Sequence, residues 1–164
     1  MTATTTTTTT IGTTTSGDTV LHLHCWTDGS AINSEGMGIG DCGIGIVVTN
    51  DEKILFCIGE YIGSNTSNYA EFYAILRCLE EIRDRIGEEI YGIDILSDSE
   101  VAVNGLEGIS NIVSDNLIPV IQQIEDVCDD IGVIPTYIWT PGHSDDRLNQ
   151  LSDMLAYTSS SGQY

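Results

Sequence analysis

The order of strand-like and helix-like segments constrains this chain more than any other feature of its sequence. Three strand patterns come first, and helical patterns then alternate with two further strands. The strand patterns lie at residues 20–27, 44–49, 54–61, 92–97 and 135–140. The helical patterns lie at residues 68–86, 99–106, 115–131 and 147–157.

This order predicts an α/β fold built on a mixed five-stranded sheet. The first three strands are close enough in sequence to form antiparallel hairpins, whereas the last two follow helical crossovers and are expected to be parallel, with helices on the faces. A chain of 164 residues suits one compact domain. We assign that domain to residues 19–158 and expect disordered tails at 1–18, which is rich in Thr, and at 159–164.

The charge balance excludes a protein that grips nucleic acid through a basic surface. The chain has 25 Asp and Glu residues and 5 Lys and Arg residues, which give a formal net charge of −20. So acidic a surface on an ordinary apolar core suggests adaptation to high salt. The sequence has no signal-peptide pattern and no long apolar run, so we expect a soluble, cytoplasmic protein without membrane contact, most simply a monomer.

Four acidic residues lie at positions that suit a site: Asp28 after the first strand, Glu71 early in the first helix, Asp98 after the fourth strand, and Asp153 in the last helix. Each also has a simpler interpretation. Asp28 suits a turn with Gly29 and Ser30, Glu71 has capping-box spacing from Asn68, Asp98 suits a helix cap, and Asp153 suits a solvated helix face.

Together these acids favour a cation site, because the first and fourth strands can be neighbours in such a sheet. Carboxylates at short range repel one another unless protons or cations intervene. Oxygen ligands favour Mg²⁺ or Mn²⁺, and several acids in one site suit two such ions, an arrangement used for phosphodiester cleavage.

Four motifs in order make the chain resemble the ribonuclease H family, type 1. They are CWTDGS, SNYAE, ILSDSE and WTPGHSDDRLNQLSDMLA, and the resemblance covers residues 20–157. It implies a ribonuclease H-like fold and an endonuclease that cuts the RNA strand of an RNA/DNA hybrid. It also implies hydrolysis with two metal ions, Mg²⁺ or Mn²⁺, leaving a 5′-phosphate and a 3′-hydroxyl.

The resemblance implies roles for particular residues. Asp28, Glu71, Asp98 and Asp153 match the metal-binding carboxylates of the family, with Asp28 bridging both ions. His143, in the TPGH sequence, matches a catalytic histidine that assists proton movement or product release.

Further residues match positions that bind the hybrid. They are Gly29, Ser30, Thr66, Asn68 and Asn149. The segment GLEGISNIVSDNLIPV lacks the basic and Trp residues of a protrusion that some members use to hold the hybrid. We therefore expect weak, non-processive binding that depends on metal ions, backbone amides and hydroxyl groups.

Two alternative functions remain open: a nuclease of the same fold with another substrate, such as double-stranded RNA, and a non-catalytic binding module.

Two other motifs are set aside. Residues 38–43 satisfy GxGxxG but precede a strand instead of the helix that a dinucleotide site needs. His22 and His24 lie on one strand face and Cys25 on the other, which favours an exposed or packed histidine pair over a metal site.

Overall fold

The computed structural model describes residues 19–35, 38–51 and 53–162, and the tail predicted at residues 1–18 lies outside them. Its centre is a five-stranded sheet of order β3-β2-β1-β4-β5. The strands are β1 (Val20–Glu35), β2 (Ile39–Thr49), β3 (Ile54–Thr66), β4 (Glu89–Ser97) and β5 (Thr136–Trp139). The helices are α1 (Ser67–Arg85), α2 (Glu100–Leu106), α3 (Ile118–Ile131) and α4 (Arg147–Ser160).

The pairing of the strands confirms the predicted fold class. Strand β1 pairs antiparallel with β2, and β2 pairs antiparallel with β3. On its other side β1 pairs parallel with β4, which pairs parallel with β5. Among the described residues, no helix is both long and apolar enough to cross a membrane.

Strand β1 differs most from the prediction, because it does not end before Asp28. The expected turn at Asp28, Gly29 and Ser30 is wrong: these residues continue the strand and pair with Gly45, Ile44 and Gly43 of β2. Pairing with a neighbouring strand overrides the local turn preference of an Asp-Gly-Ser sequence. Asp28 therefore lies in the middle of a long central strand.

Several helix ends also differ from the predicted ones. Helix α1 begins at Ser67 because the Thr66 hydroxyl accepts the Tyr69 N–H, so the simpler interpretation of Asn68 and Glu71 as a capping box is wrong. Ser99 caps α2 instead of Asp98. Helix α4 continues to Ser160, so residues 159 and 160 belong to the helix and not to a tail.

The main core lies between one sheet face and helices α1 and α3. Alternate residues of β1 and β2 point into it, as strand geometry requires, and α1 covers them with a continuous apolar face. Fully buried members include Leu23, Cys25, Ile44, Ile46, Phe72, Ile75 and Leu79.

The opposite sheet face is covered by α4, whose backbone rests directly on two glycines of β2. A Cβ atom at Gly45 would lie 1.9 Å from the Ser152 carbonyl oxygen, and one at Gly43 would lie 2.3 Å from the Ser160 nitrogen. Both distances are far below contact range, so the helix takes this position only because neither residue has a side chain. Strand β2 thus begins at Ile39, five residues before the predicted strand at 44–49, and its glycines Gly43 and Gly45 form the contact with α4.

Replacing Gly45 with alanine is expected to destabilise the fold strongly. The added methyl group forces α4 away from β2, and overpacking of this kind costs about 1–3 kcal/mol or more. Gly87→Ala is the matched control, because a Cβ atom there meets nothing within 4 Å. Urea unfolding measures both variants, and wild-type stability of Gly45→Ala would contradict the close contact.

Candidate active site

Three carboxylates from separate elements converge at the middle of the sheet. Asp28 lies in β1, Glu71 in α1, and Asp98 directly after β4. One oxygen of each lies within 4.8 Å of the others. The parallel register explains the two strand residues, because Trp26 pairs with Leu96 and Asp28 and Asp98 each follow two residues later.

The position of α1 brings Glu71 to this point. A Cβ atom at Gly29 would lie 2.4 Å from the Glu71 nitrogen and from the Ala70 carbonyl carbon, so the absence of a side chain lets the helix touch the strand. The Gly29 N–H also donates to the Glu71 carboxylate, which lowers the pKa of Glu71 and partly offsets the effect of burial. Gly29 thus has a structural role beside its predicted contact with substrate.

Asp153 approaches the cluster from α4. It is exposed and is not one of the three carboxylates within 4.8 Å of one another. Its charge and a hydrogen bond to Asp28 nevertheless raise the pKa of Asp28. The close contact of α4 with Gly45, the β2 partner of Asp28, explains this proximity. All four predicted carboxylates therefore belong to one electrostatic cluster.

The cluster favours bound protons when no cation is present. Burial is the largest cause that raises the pKa of Asp28 from 3.8 to about 8, followed by the charges of Asp98 and Asp153. Burial and the charges of Asp28 and Asp98 also raise the pKa of Glu71 well above its usual range. A cation placed among these oxygens would replace the protons.

One oxygen at the centre of the cluster lacks a partner. Glu71 Oε2 is buried and accepts no hydrogen bond. An unsatisfied buried carboxylate oxygen is costly, and coordination to a metal ion is one way of satisfying it. The donor set, which consists of carboxylate oxygens, suits a hard cation such as Mg²⁺.

The loop after β5 lies against Asp98. The Trp139 indole N–H donates to the Asp98 carbonyl at 3.2 Å, and the Thr140 N–H donates to the Ser97 carbonyl at 2.9 Å. A Cβ atom at Gly142 would lie 2.9 Å from Asp98 Oδ2. His143 follows in a left-handed conformation, with φ of 54°, and is exposed. The loop therefore packs Gly142 against Asp98, and the next residue, His143, is exposed to solvent.

The predicted substrate residues occupy different environments. Asn68 is exposed at the start of α1, whereas the Thr66 hydroxyl caps that helix. The Ser30 hydroxyl accepts a hydrogen bond from Ser160 of α4. Asn149 is 5% exposed, and its amide donates to the Ser144 hydroxyl at 3.5 Å. Of these four, Asn68 is the one most freely presented to a ligand.

One contact that orients α4 was absent from the sequence interpretation. Asp146 caps the helix by accepting the N–H groups of Leu148 and Asn149, and it also accepts the Trp26 indole N–H at 2.8 Å. The sequence contains a signal for the cap, an Asp directly before the helical pattern, but none for the Trp26 contact across the fold. This contact fixes the start of α4 to β1, the strand that carries Asp28.

Comparison with known proteins identifies the same family. The family model "RNase H" matches residues 22–161. A search of curated protein sequences gives no match.

Solved structures with the same fold cover nearly the whole domain. The N-terminal RNase H domain of a Mycobacterium tuberculosis protein, solved as a fusion with maltose binding protein, is 21% identical, with a TM-score of 0.73 over 87% of this chain and 96% of that one. RNase H1 from the halophilic archaeon Halobacterium salinarum is 21% identical, with a TM-score of 0.71 over 86% and 98%. LC11-RNase H1, solved in complex with an RNA/DNA hybrid, is 22% identical, with a TM-score of 0.68 over 84% and 98%.

At these identities the structural matches establish the fold, while the family match establishes descent. The family match includes all four helices and all four carboxylates of the cluster. It also includes the five strands, except for the first two residues of β1. The chain therefore belongs to the RNase H family and is a ribonuclease H enzyme.

Proposed function

We propose that the protein hydrolyses the RNA strand of RNA/DNA hybrids with two divalent metal ions, leaving a 5′-phosphate and a 3′-hydroxyl. The observation that carries this proposal is the convergence of Asp28, Glu71 and Asp98, with Asp153 interacting electrostatically with Asp28. A related RNase H1 was solved with an RNA/DNA hybrid, which supports the same substrate class here.

The residues present fit divalent metal ions. The RNase H family depends on divalent metals, and the cluster offers only carboxylate oxygens, including the unpartnered Glu71 Oε2. Mg²⁺ is usually held by one or two protein carboxylates, so four in one cluster favour two ions, Mg²⁺ or Mn²⁺. When bound, such ions lower the pKa of a water molecule and stabilise the leaving oxygen of a phosphodiester.

The chain's own residues hold this arrangement rigid. Asp28, Glu71, Asp98 and Asp153 provide the metal-binding oxygens from four elements, so the geometry depends on the packing of the fold. Donation from the Gly29 N–H fixes the Glu71 carboxylate, and the Trp139 indole fixes the backbone at Asp98. His143 would exchange protons between the site and solvent, because it is exposed and directly follows Gly142, which lies against Asp98.

Recognition of the hybrid cannot depend on many basic side chains. Acidic side chains already engage three of the five basic residues: Arg77 contacts Glu60, Glu80 and Glu81, and Arg83 and Arg85 are paired likewise. We propose instead that backbone amides and the polar side chains of Thr66 and Asn68 contact the hybrid. The 2′-hydroxyl groups in the minor groove would distinguish RNA from DNA.

Cleavage of a labelled RNA/DNA hybrid, beside duplex RNA and duplex DNA, tests this function. We expect cleavage of the RNA strand only with Mg²⁺ or Mn²⁺, and a loss of at least about 100-fold in Asp98→Asn, because even changes around metal ligands cost 10-fold to 100-fold. Analysis of the product ends tests for 5′-phosphate and 3′-hydroxyl groups.

The matched control is Asp129→Asn, the same chemical change at an exposed residue of α3, and it should retain wild-type cleavage. If the folded protein cleaves none of the three duplexes, the non-catalytic alternative holds. A preference for duplex RNA would keep the metal site and overturn the assigned substrate.

Metal-free protein is expected to lose stability as the pH rises from 6 to 9. The pKa of Asp28 is 3.8 ordinarily and about 8 in the folded chain, so the folded state binds more protons than the unfolded state between these values. Deprotonation of this one group lowers the free energy of unfolding by at most about 1.4 kcal/mol per pH unit. Urea unfolding with a chelator present, at constant ionic strength, measures the slope.

Asp28→Asn should reduce this slope, and added Mg²⁺ should offset the loss at high pH by binding the ionised carboxylates. Glu88→Gln is the control, because Glu88 is exposed and precedes β4, at the far end of that strand from Asp98. An identical slope in Asp28→Asn and wild type would contradict the raised pKa of Asp28.

We also propose that the protein is adapted to high salt. The net charge of −20 makes the folded chain repel itself, and screening is roughly threefold shorter in range at 1 M than at 0.1 M ionic strength. Unfolding free energy and hybrid cleavage should therefore both be maintained or increased between about 0.1 M and 1 M KCl. The experiment uses a chloride salt, because sulfate strengthens apolar burial in any protein and would hide the effect of charge screening.

The salt dependence of hybrid binding distinguishes this proposal from ordinary basic recognition. Each phosphate neutralised by Lys or Arg makes binding fall with rising salt, so a chain with few available cations should show a shallow slope. A steep loss of hybrid affinity in molar KCl would contradict the adaptation.

A further inference from the structure

A second cluster of metal-ligating side chains lies on the same two strands, outside the carboxylate site. The His22 Nε2 atom lies 2.9 Å from Asp94 Oδ2, and the His24 Nδ1 atom lies 3.2 Å from the same oxygen. One ligand atom of each residue lies within 4.8 Å of the others. The two imidazole rings stack with centroids 4.8 Å apart.

The sheet register creates this cluster. His22 and His24 alternate along β1 and share a face, and Asp94 of β4 is the direct register partner of His24. Cys25 is fully buried on the opposite, core face, as the strand pattern predicts. A sequence interpretation limited to His22, His24 and Cys25 lacks the third ligand, which comes from a strand about 70 residues away.

His24 has a carboxylate oxygen at each ring nitrogen. Besides the Asp94 contact at Nδ1, its Nε2 atom lies 3.1 Å from Asp51 Oδ1. A neutral imidazole carries one N–H, so it satisfies one of these two acceptors. When the His24 Nε2–H donates to Asp51, the Nδ1 lone pair faces the Asp94 Oδ2 atom, and these two acceptors repel each other. A cation bound between Nδ1 and Oδ2 would be attracted to both. A carboxylate that accepts the outer N–H of a ligating histidine is the usual arrangement around bound metals.

The cluster is held in place and open to ions. A Cβ atom at Gly92 would lie 2.8 Å from the His22 ring, so the ring occupies the space that a side chain there would fill. The Tyr91 ring meets His22 edge-on at 5.2 Å. The side chains of His22, His24 and Asp94 are 27%, 32% and 21% exposed, and His24 also lines a surface cavity of about 430 Å³.

We propose that His22, His24 and Asp94 form a binding site for a borderline divalent metal, represented by Zn²⁺, with Asp51 as the outer partner of His24. Two imidazole nitrogens and one carboxylate oxygen are a common protein donor set for Zn²⁺, and the open side leaves a position for water. Mg²⁺ prefers oxygen ligands, so it remains with the carboxylate cluster. The bound metal joins β1 to β4 four residues before Asp28 and Asp98, about 13 Å along the strands.

Histidine NMR on the full chain with Zn²⁺ tests the site directly, in excess Mg²⁺ and without nucleic acid. The chain has three histidines, so His143 is an internal control. One equivalent of Zn²⁺ should shift the imidazole nitrogen signals of His22 and His24 and leave those of His143 unchanged. A response of His143 alone would overturn the proposal.

Competition with a chromophoric chelator then measures zinc affinity in variants. His24→Gln and Asp94→Asn should each weaken binding by more than about 100-fold, and Asp51→Asn by about 10-fold to 100-fold. Asp51 is exposed, so its variant remains informative if a ligand variant fails to fold.

His143→Gln and Asp98→Asn are the matched controls and should bind zinc as wild type does. Wild-type zinc affinity in both ligand variants, or loss of zinc binding in Asp98→Asn, would overturn the site. Because no step of this experiment involves cleavage, its result is independent of the proposed nuclease function.

Discussion

Direct contact between helix backbones and the central strands is the constraint on which the active site depends. Asp28 precedes Gly29, against which α1 packs, and pairs with Gly45, against which α4 packs. A side chain at either glycine would displace a helix, and with it Glu71 or Asp153. Helix α1 and helix α4, which pack on opposite faces of the sheet, therefore both bring a carboxylate towards Asp28.

This arrangement concentrates negative charge, and no basic residue is among the main causes that shift the pKa values of Asp28 and Glu71 in the part of the chain that the structure describes. All charged groups that shift the pKa of Asp28 are themselves carboxylates, and burial adds to their effect. Arg77 lies six residues beyond Glu71 on α1, about 9 Å along the helix, and is engaged by Glu60, Glu80 and Glu81. The apolar core on the other side of β1 must therefore stabilise a site whose carboxylates repel one another until protons or cations bind.

Sequence patterns predicted the element order because it depends on local periodicity, and motif context selected acids that the structure brings close together. They failed where tertiary contacts decide the outcome. The sequence around Asp28 favours a turn, yet pairing with Gly45 keeps it extended, and capping by Thr66 instead of Asn68 moves the start of α1. The packing role of Gly45 leaves no local signal, because it depends on a helix more than 100 residues later.

The register of β1 and β4 also explains how one strand pair can hold two kinds of metal without competition. Even-numbered positions of β1 share a face, so His24 lies on the same side of the strand as Asp28, and Asp94 precedes Asp98 by four residues on the neighbouring chain segment. The site at Asp28 and Asp98 offers only oxygen atoms. The site at His22, His24 and Asp94 offers two imidazole nitrogens and one oxygen. The two sites are only about 13 Å apart, so the difference in ligand chemistry, not the distance, determines which metal each site binds. A metal at the histidine level would restrain the spacing of β1 and β4, and that spacing sets the distance between Asp28 and Asp98. The second site therefore bears on the first through the backbone of the sheet, without any residue in common.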